Sequence, residues 1–430
     1  MKRTTKPSSA ASPKIANVCG DVGMDRIHLT VVAGLDSPFP RVFDIPNRTH
    51  EITETLSVIR DHVRASGFEQ ARVVVEPTGI YHDNLLNIAA HIGFLTGLVN
   101  PEHVAKMRIV HFGDSGKTDR RDPEAIAAVV ANGRLIVDRR RHFPEIYHLL
   151  RDWGSLYQAA EDRLIEAKNR VHRALRQLFP DFDFSSDFLY GPSGQAIMRC
   201  YQLDPRQIVR HTPSRLFARL RKHSSMRRSS VDRLLASARA SVQSTPSGER
   251  HHAQCARLAL AWEEWQLHQQ RRAAARERLE SLYDQARLLD PRLPAPVHRV
   301  ISKCMLARLF GELGPIDDFH HWRQLLRYAG MNLRERQSGR YVGLIKISRK
   351  GRPQLRRVLN QIALPLVRKG FLFGDYFHQK RRVQKMPGPK AMMAVSRKIV
   401  KMIWGWVHAG AAFDLSRVFT CKATFDRCAA

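Results

Sequence analysis

From Ile15 to about Val137, short runs rich in β-branched residues alternate with stretches whose apolar positions recur every three or four residues. Short apolar runs bounded by Gly, Pro, Asn or Asp predict strands, and the longer period predicts helices with one buried face. On this reading Ile15–Gly23 and Arg26–Ala33 form a hairpin, and Arg41–Ile45, Ala71–Glu76 and Leu95–Val99 are further strands. Helices are predicted at Ile52–Ser66, Tyr81–Ile92 and Asp122–Asn132. Beyond Arg139-Arg140-Arg141 the β signal fades. In Ile146–Phe179 the residues Ile146, Leu149, Leu150, Trp153, Leu156, Tyr157, Leu164, Val171, Leu175 and Leu178 recur at threes, fours and sevens, the spacing of an amphipathic or coiled-coil helix. Pro180 ends that helix. A Ser/Pro-rich break at Ser241–Gly248 precedes a second long helix from about His251 to Leu289, closed off by Pro291, Pro294 and Pro296. The last stretch, Val297 to about Trp406, is helical with a strand-like interruption near Tyr341–Ile347.

Three strands followed by alternating helix and strand is the order of a ribonuclease-H-like layer. The expected fold class is therefore an α/β ribonuclease-H-like N-terminal domain, a helical coiled-coil middle and a mainly α-helical C-terminal domain. The corresponding boundaries are a disordered basic arm at 1–14, the α/β domain at 15–140, a helical linker and oligomerisation region at 141–290, the C-terminal domain at 291–410 and a tail at 411–430.

Charge narrows the range of functions. Of the 430 residues, 71 are Lys or Arg and 40 are Asp or Glu, a net +31 that repels itself unless a polyanion neutralises it. Arg334, Arg336, Arg340, Lys346, Arg349, Lys350, Arg352, Arg356 and Arg357 fall in one stretch whose single acid is Glu335, and Lys380 to Lys401 contains no acid. That is the footprint of a nucleic-acid-binding surface. The longest apolar run, Met402 to Phe413, contains His408 and falls short of the roughly 20 residues of a spanning helix, so no membrane role is expected. The basic N-terminus lacks the apolar core of a secretory signal, and a cytoplasmic, nucleoid-associated location is expected. The six cysteines are widely spaced, without C-x-x-C, which argues against a disulfide framework or a zinc site.

Four acids have the surroundings of chemistry. Asp21 lies late in the first strand between Gly20 and Gly23, where small residues leave room for a ligand. Glu76 ends the run Val73-Val74-Val75 and precedes Pro77-Thr78-Gly79. Asp119 and Asp122, three apart at a helix start, share one face. Such a cluster needs cations, and oxygen ligands suit Mg²⁺ or Mn²⁺, two of which about 3.5–4 Å apart would serve an in-line phosphodiester displacement. The same residues also read as a helix cap and as surface ion pairs with neighbouring arginines. Gly116-Lys117-Thr118 is not the phosphate loop of an ATPase, because His111 stands where that loop needs glycine.

The motifs Gly20-Asp21-Val22-Gly23, Glu76-Pro77-Thr78-Gly79-Ile80-Tyr81, Asn100-Pro101 and Lys117-Thr118-Asp119-Arg120-Arg121-Asp122 resemble, in order and spacing, the DEDD transposases of insertion sequences called family one-hundred-ten. Leu326-Arg327-Tyr328-Ala329-Gly330, Arg334-Glu335-Arg336-Gln337-Ser338-Gly339 and Ile347-Ser348-Arg349-Lys350-Gly351-Arg352-Pro353 resemble the same family's second domain. The resemblance implies a RuvC-like nuclease fold and Mg²⁺ bound by Asp21, Glu76, Asp119 and Asp122. It further implies a serine nucleophile at Ser338 and nucleic-acid contacts from Lys117 and the arginines and lysines named above. The implied partners are double-stranded donor and target DNA, a structured guide RNA from the same element, and further copies of the chain, as a dimer and as a tetramer on DNA.

Arg334, Arg336 and Arg340 surround Ser338 in sequence and could stabilise an attacking alkoxide, and Gly339 permits close approach of a DNA backbone. The residues alone equally allow a phosphate-binding turn that does not attack. Two rival functions stay open on sequence: a hydrolytic, junction-resolvase-like nuclease using the same acids, and a non-catalytic nucleic-acid-binding derivative. In place of the family's Gly-x-Gly hairpin at the start of the second domain, this chain has Ala295-Pro296-Val297-His298-Arg299-Val300-Ile301.

Overall fold

Gly23 lets the chain reverse after its first strand, with its amide donating to the Arg26 carbonyl at 2.9 Å. Strands β1 (Ile15–Val22), β2 (Arg26–Val32) and β3 (Val42–Pro46) thereby form an antiparallel meander. There follow α1 (Thr49–Ala65), β4 (Gln70–Val75), α2 (His82–His91), β5 (Leu95–Val99), α3 (Pro101–Phe112), α4 (Arg121–Ala131) and β6 (Leu135–Val137). In this computed structural model the described residues are 14–32, 42–77, 79–113, 121–138, 143–334, 337–338, 341–342, 345–414 and 418. The expected N-terminal arm apart from its last residue, Asp119, Lys117, Arg336, Arg340 and most of the expected tail lie outside them.

The six strands run in the order β3-β2-β1-β4-β5-β6, with β1, β4 and β5 parallel and β6 antiparallel at the edge. Alternation along the strands separates two cores. Ala16, Val18 and Val22 of β1, with Val73 and Val75 of β4, pack against Ile52, Leu56 and Ile59 of α1 and Leu85 and Leu86 of α2. Cys19, Val74 and Val99 point the other way, onto Val104 of α3 and Ala125, Ile126 and Val129 of α4. A meander continued by parallel strands, with helices on both faces, is the ribonuclease-H-like arrangement. Helix α3 and strand β6 are additions to the sequence reading. In α3 one residue, Val104, is buried, so there is no apolar stripe to detect.

The chain divides into two compact units, Met1–Phe143 and Pro144–Ala430. The second is mostly helical. Helices α5 (Glu145–Leu178) and α11 (Glu249–Leu289) lie antiparallel, since Gln177, Arg170 and Glu161 pair in turn with Arg257, Glu264 and Arg272. The segment between them forms α6 (Ser186–Tyr190), α7 (Pro192–Tyr201), α8 (Pro205–Ile208), α9 (Pro213–Arg221) and α10 (Arg228–Ser244). Its Ile197, Tyr201, Leu220 and Leu234 share a core with Val171 and Leu178 of α5 and Leu258 and Trp262 of α11.

Helix α12 (Lys303–Leu313) approaches α5 closely at Gly311, where a Cβ would sit 2.7 Å from the Leu150 carbonyl carbon. A 3-10 turn at Ile316–Asp318 and helix α13 (Trp322–Tyr328) lead to four short strands, β7 (Leu333–Arg334), β8 (Gln337–Ser338), β9 (Tyr341–Val342) and β10 (Lys346–Ile347). β7 pairs with β10 and β8 with β9, so the strand-like interruption is a pair of nested hairpin ladders. Helices α14 (Pro353–Leu366), α15 (Gly374–Arg382) and α16 (Gly388–Ala409) close the unit. Arg299 takes the left-handed conformation, φ 59°, in a turn closed by reciprocal Val297–Ile301 backbone hydrogen bonds. The chain thus makes a tight reversal here without a glycine.

Candidate active site

The parallel register pairs Ile15 with Gln70 and Gly20 with Val75, so Asp21 stands level with Glu76 where the two strands end. Neighbouring strands are about 4.8 Å apart, and both residues fall on the face that carries α3 and α4. On the other side Asp21 is the antiparallel partner of His28, and His28 of Asp44. One row across four strands therefore reads Asp44, His28, Asp21, Glu76, with the His28 Nδ1 3.5 Å from the Asp44 carboxylate. Carboxyl ends of parallel strands are where open α/β sheets bind ligands, because the strands stop there while the flanking helices leave a crevice.

Asp122 joins the same face from the first turn of α4, and its side chain is 1% exposed. A buried carboxylate requires a partner. Arg108 supplies it, with Nε and Nη2 on the two Asp122 oxygens, the second at 3.0 Å. The same Nη2 lies 3.7 Å from Glu76. Asp122 is thus paired with a residue fourteen positions earlier, on α3, a partner the sequence reading did not name. Asn100, followed by Pro101, caps that helix by accepting from the Glu102 amide at 2.9 Å. The Asn-Pro-Glu start was the signal that could have revealed α3, and with it Arg108.

Beneath the acids, Cys19 is fully buried, and burial pushes its thiol up to about 12. It is a packing group and not a nucleophile. Asp21, Glu76 and Asp122 face the same side of the sheet with Arg108 between Glu76 and Asp122, but among the described residues their carboxylates are not gathered closely enough to share one ion. Asp119 and Lys117 lie outside the described residues.

In the second unit, the backbone of Ser338 pairs with Tyr341 in the inner ladder. The ladders are anchored by a close glycine approach: a Cβ on Gly351 would meet the Gly330 nitrogen and the Tyr328 carbonyl at 2.4 Å. The glycines of the Tyr-Ala-Gly and Arg-Lys-Gly motifs are required by this backbone approach, and Gly330 has φ 65°. The basic residues of the stretch divide into two groups. Arg334, Lys346, Arg349 and Lys350 are exposed. Arg352 ion-pairs with Glu312 at 2.8 Å, Arg356 donates to the Ala329 carbonyl at 3.0 Å, and Arg357 pairs with Asp162 of α5. These three are engaged within the chain.

Among the described residues, no helix is long and apolar enough to cross a membrane. No curated protein matches the chain. A transposase model for the DEDD enzymes of IS110 matches residues 20–180, from the end of β1 to the end of α5. A second model, for the transposase IS116/IS110/IS902 family, matches residues 298–378, which hold both ladders and the Gly330–Gly351 approach. The two matches together cover more than half of the chain, in the order the motifs require, and this protein belongs to the IS110 family of transposases, recombinases that cut DNA.

Proposed function

We propose that this transposase is guided by RNA and exchanges DNA strands through Mg²⁺ held by Asp21, Glu76, Asp119 and Asp122 and through a serine nucleophile, Ser338. The observation that carries the reading is the level placement of Asp21 and Glu76 at adjacent strand ends with Asp122 on the same face. When bound, Mg²⁺ supplies charge that stabilises a phosphodiester under in-line attack. Asp21 and Glu76 would hold it from the sheet and Asp122 from α4, while Arg108 orients Asp122 through its two hydrogen bonds. The Ser338 hydroxyl gives up its proton as its oxygen bonds to phosphorus, and the departing deoxyribose oxygen takes up a proton. One phosphoester replaces another, so a later attack by a strand hydroxyl on the serine phosphoester releases Ser338 and rejoins DNA without an external energy source.

The exposed Arg334, Lys346, Arg349 and Lys350 hold nucleic-acid backbones, and base pairing with a structured RNA selects the sequence. Support for this part comes from the net +31 and from the resemblance of the motifs. The test combines the protein, its element's RNA and labelled donor and target DNA with Mg²⁺, followed by a denaturing gel. A protein–DNA adduct that needs RNA and is lost in both Ser338→Ala and Asp21→Ala is the expected result. Metal-dependent nicking without any adduct would establish the hydrolytic nuclease instead.

A further inference from the structure

Far along the chain from the acids of the sheet, three side chains of different chemistry meet. Asp204 ends the short loop before α8 and caps it, its Oδ1 accepting from the Arg206 amide at 2.9 Å. That leaves Oδ2 turned to His251, 3.2 Å from Nε2. Cys255, one turn further along α11, places Sγ 3.5 Å from the same nitrogen. The three ligand atoms all lie within 4.8 Å of one another, and Asp204 and His251 are buried.

We propose that Asp204, His251 and Cys255 form a binding site for a borderline-soft divalent cation, Zn²⁺ by class, separate from the carboxylates of the sheet. Geometry makes the first argument. Tetrahedral zinc with its usual bond lengths separates O from N by about 3.3 Å and N from S by about 3.6 Å. The observed 3.2 and 3.5 Å are close to those separations, and the carboxylate oxygen and the sulfur lie within 4.8 Å of each other. Donor chemistry makes the second. Imidazole with thiolate selects zinc-like ions over Mg²⁺ or Ca²⁺, which take oxygen. Charge makes the third, since a carboxylate and a thiolate neutralise one divalent ion and leave no net charge in a buried place. The alternative role of a reactive cysteine is disfavoured, because burial and Asp204 push the Cys255 thiol up to about 11.

All three residues line a cavity of about 440 Å³ whose wall also carries Arg206, Arg210 and His211. A fourth ligand, water, enters from that cavity. Occupancy ties the cap of α8 to the first turns of α11, and so fastens the helical segment between α5 and α11 to the longest helix of the unit. Binding displaces the Cys255 proton, so one proton is released per ion taken up.

The experiment strips full-length protein with a chelator and titrates it with Co²⁺ alone, whose bond to a thiolate gives a ligand-to-metal charge-transfer band. Co²⁺ on the sheet carboxylates has no sulfur ligand and gives no such band. The expected result is a thiolate band saturating at one equivalent, abolished by Zn²⁺ and absent in Cys255→Ser. Asp204→Asn keeps the helix cap and should retain the band with affinity lowered about tenfold or more. No thiolate band in the native chain, or a band surviving in Cys255→Ser, overturns the proposal.

Discussion

Arg108 holds both oxygens of Asp122 and reaches Glu76 with the same Nη2, so one guanidinium links a buried helix carboxylate to a strand-end carboxylate. The pair is 12% and 1% exposed, a setting in which removing one partner leaves an uncompensated charge. An arginine here also occupies charge space that a divalent cation would share. Stability and metal affinity at this site are therefore coupled in opposite directions.

Arg108→Gln should destabilise the metal-free protein by about 3–5 kcal/mol, the usual cost of breaking a buried pair. Added Mg²⁺ should then raise its melting temperature more than it raises that of the native chain, because the acids have lost their internal cation. Equal Mg²⁺-induced shifts in the two proteins would show that Arg108 and the cation do not share these carboxylates.

Asp21→Asn and Glu76→Gln keep size and remove charge at two level positions on adjacent strands. Each should lower DNA cleavage by at least about 100-fold, as loss of one charge-stabilising group typically does. Their circular dichroism and melting should stay close to native, since neither side chain belongs to the two apolar cores of the sheet. Cleavage within a few-fold of native in either variant would remove these acids from the mechanism.

The sheet was legible because strands β1, β4 and β5 are short apolar runs with clear ends, and those ends place Asp21 and Glu76 side by side. Helix α3 was not legible: it buries Val104 and otherwise offers mixed polarity, so Arg108 was missed despite the Asn100 cap. Charge density likewise could not sort the C-terminal arginines. Arg352 and Arg349 look alike in sequence, yet one is set against Glu312 and the other is exposed, a difference made by long-range packing of α12. The Asp204–His251–Cys255 cluster escaped for the same reason. Asp204 lies 47 residues before His251, and the four-residue spacing of His251 and Cys255 does not by itself mark a third ligand.

That division of the arginines has a measurable consequence. Alanine at Arg349 or Lys350 should weaken binding to DNA and RNA and reduce the salt slope of the binding constant by about one for each phosphate no longer neutralised. Arg352→Ala should instead lower stability by about 2–3 kcal/mol, because Glu312, itself buried, is left without its partner. Binding isotherms over a range of salt, with melting curves on the same samples, separate the two. An unchanged salt slope in Arg349→Ala and Lys350→Ala would take both residues out of the nucleic-acid surface.

Acid should act on the second unit through Asp290. Burial alone would raise its carboxyl, but hydrogen bonds from the Arg292 side chain at 2.9 Å and the Tyr147 hydroxyl at 2.9 Å outweigh it and hold the group below its ordinary 3.8. A depressed acid contributes stability that is fully present above 3.8 and is lost as the pH falls through the folded-state value. Asp290→Asn should therefore be less stable than the native chain at neutral pH, and the gap between them should close as the pH falls below 3.8. Denaturant unfolding of both proteins across that range reads the gap directly. A gap that stays constant with pH would mean that Asp290 acts through packing and neutral hydrogen bonds, and that its charge adds nothing to the junction of α5 with the end of α11.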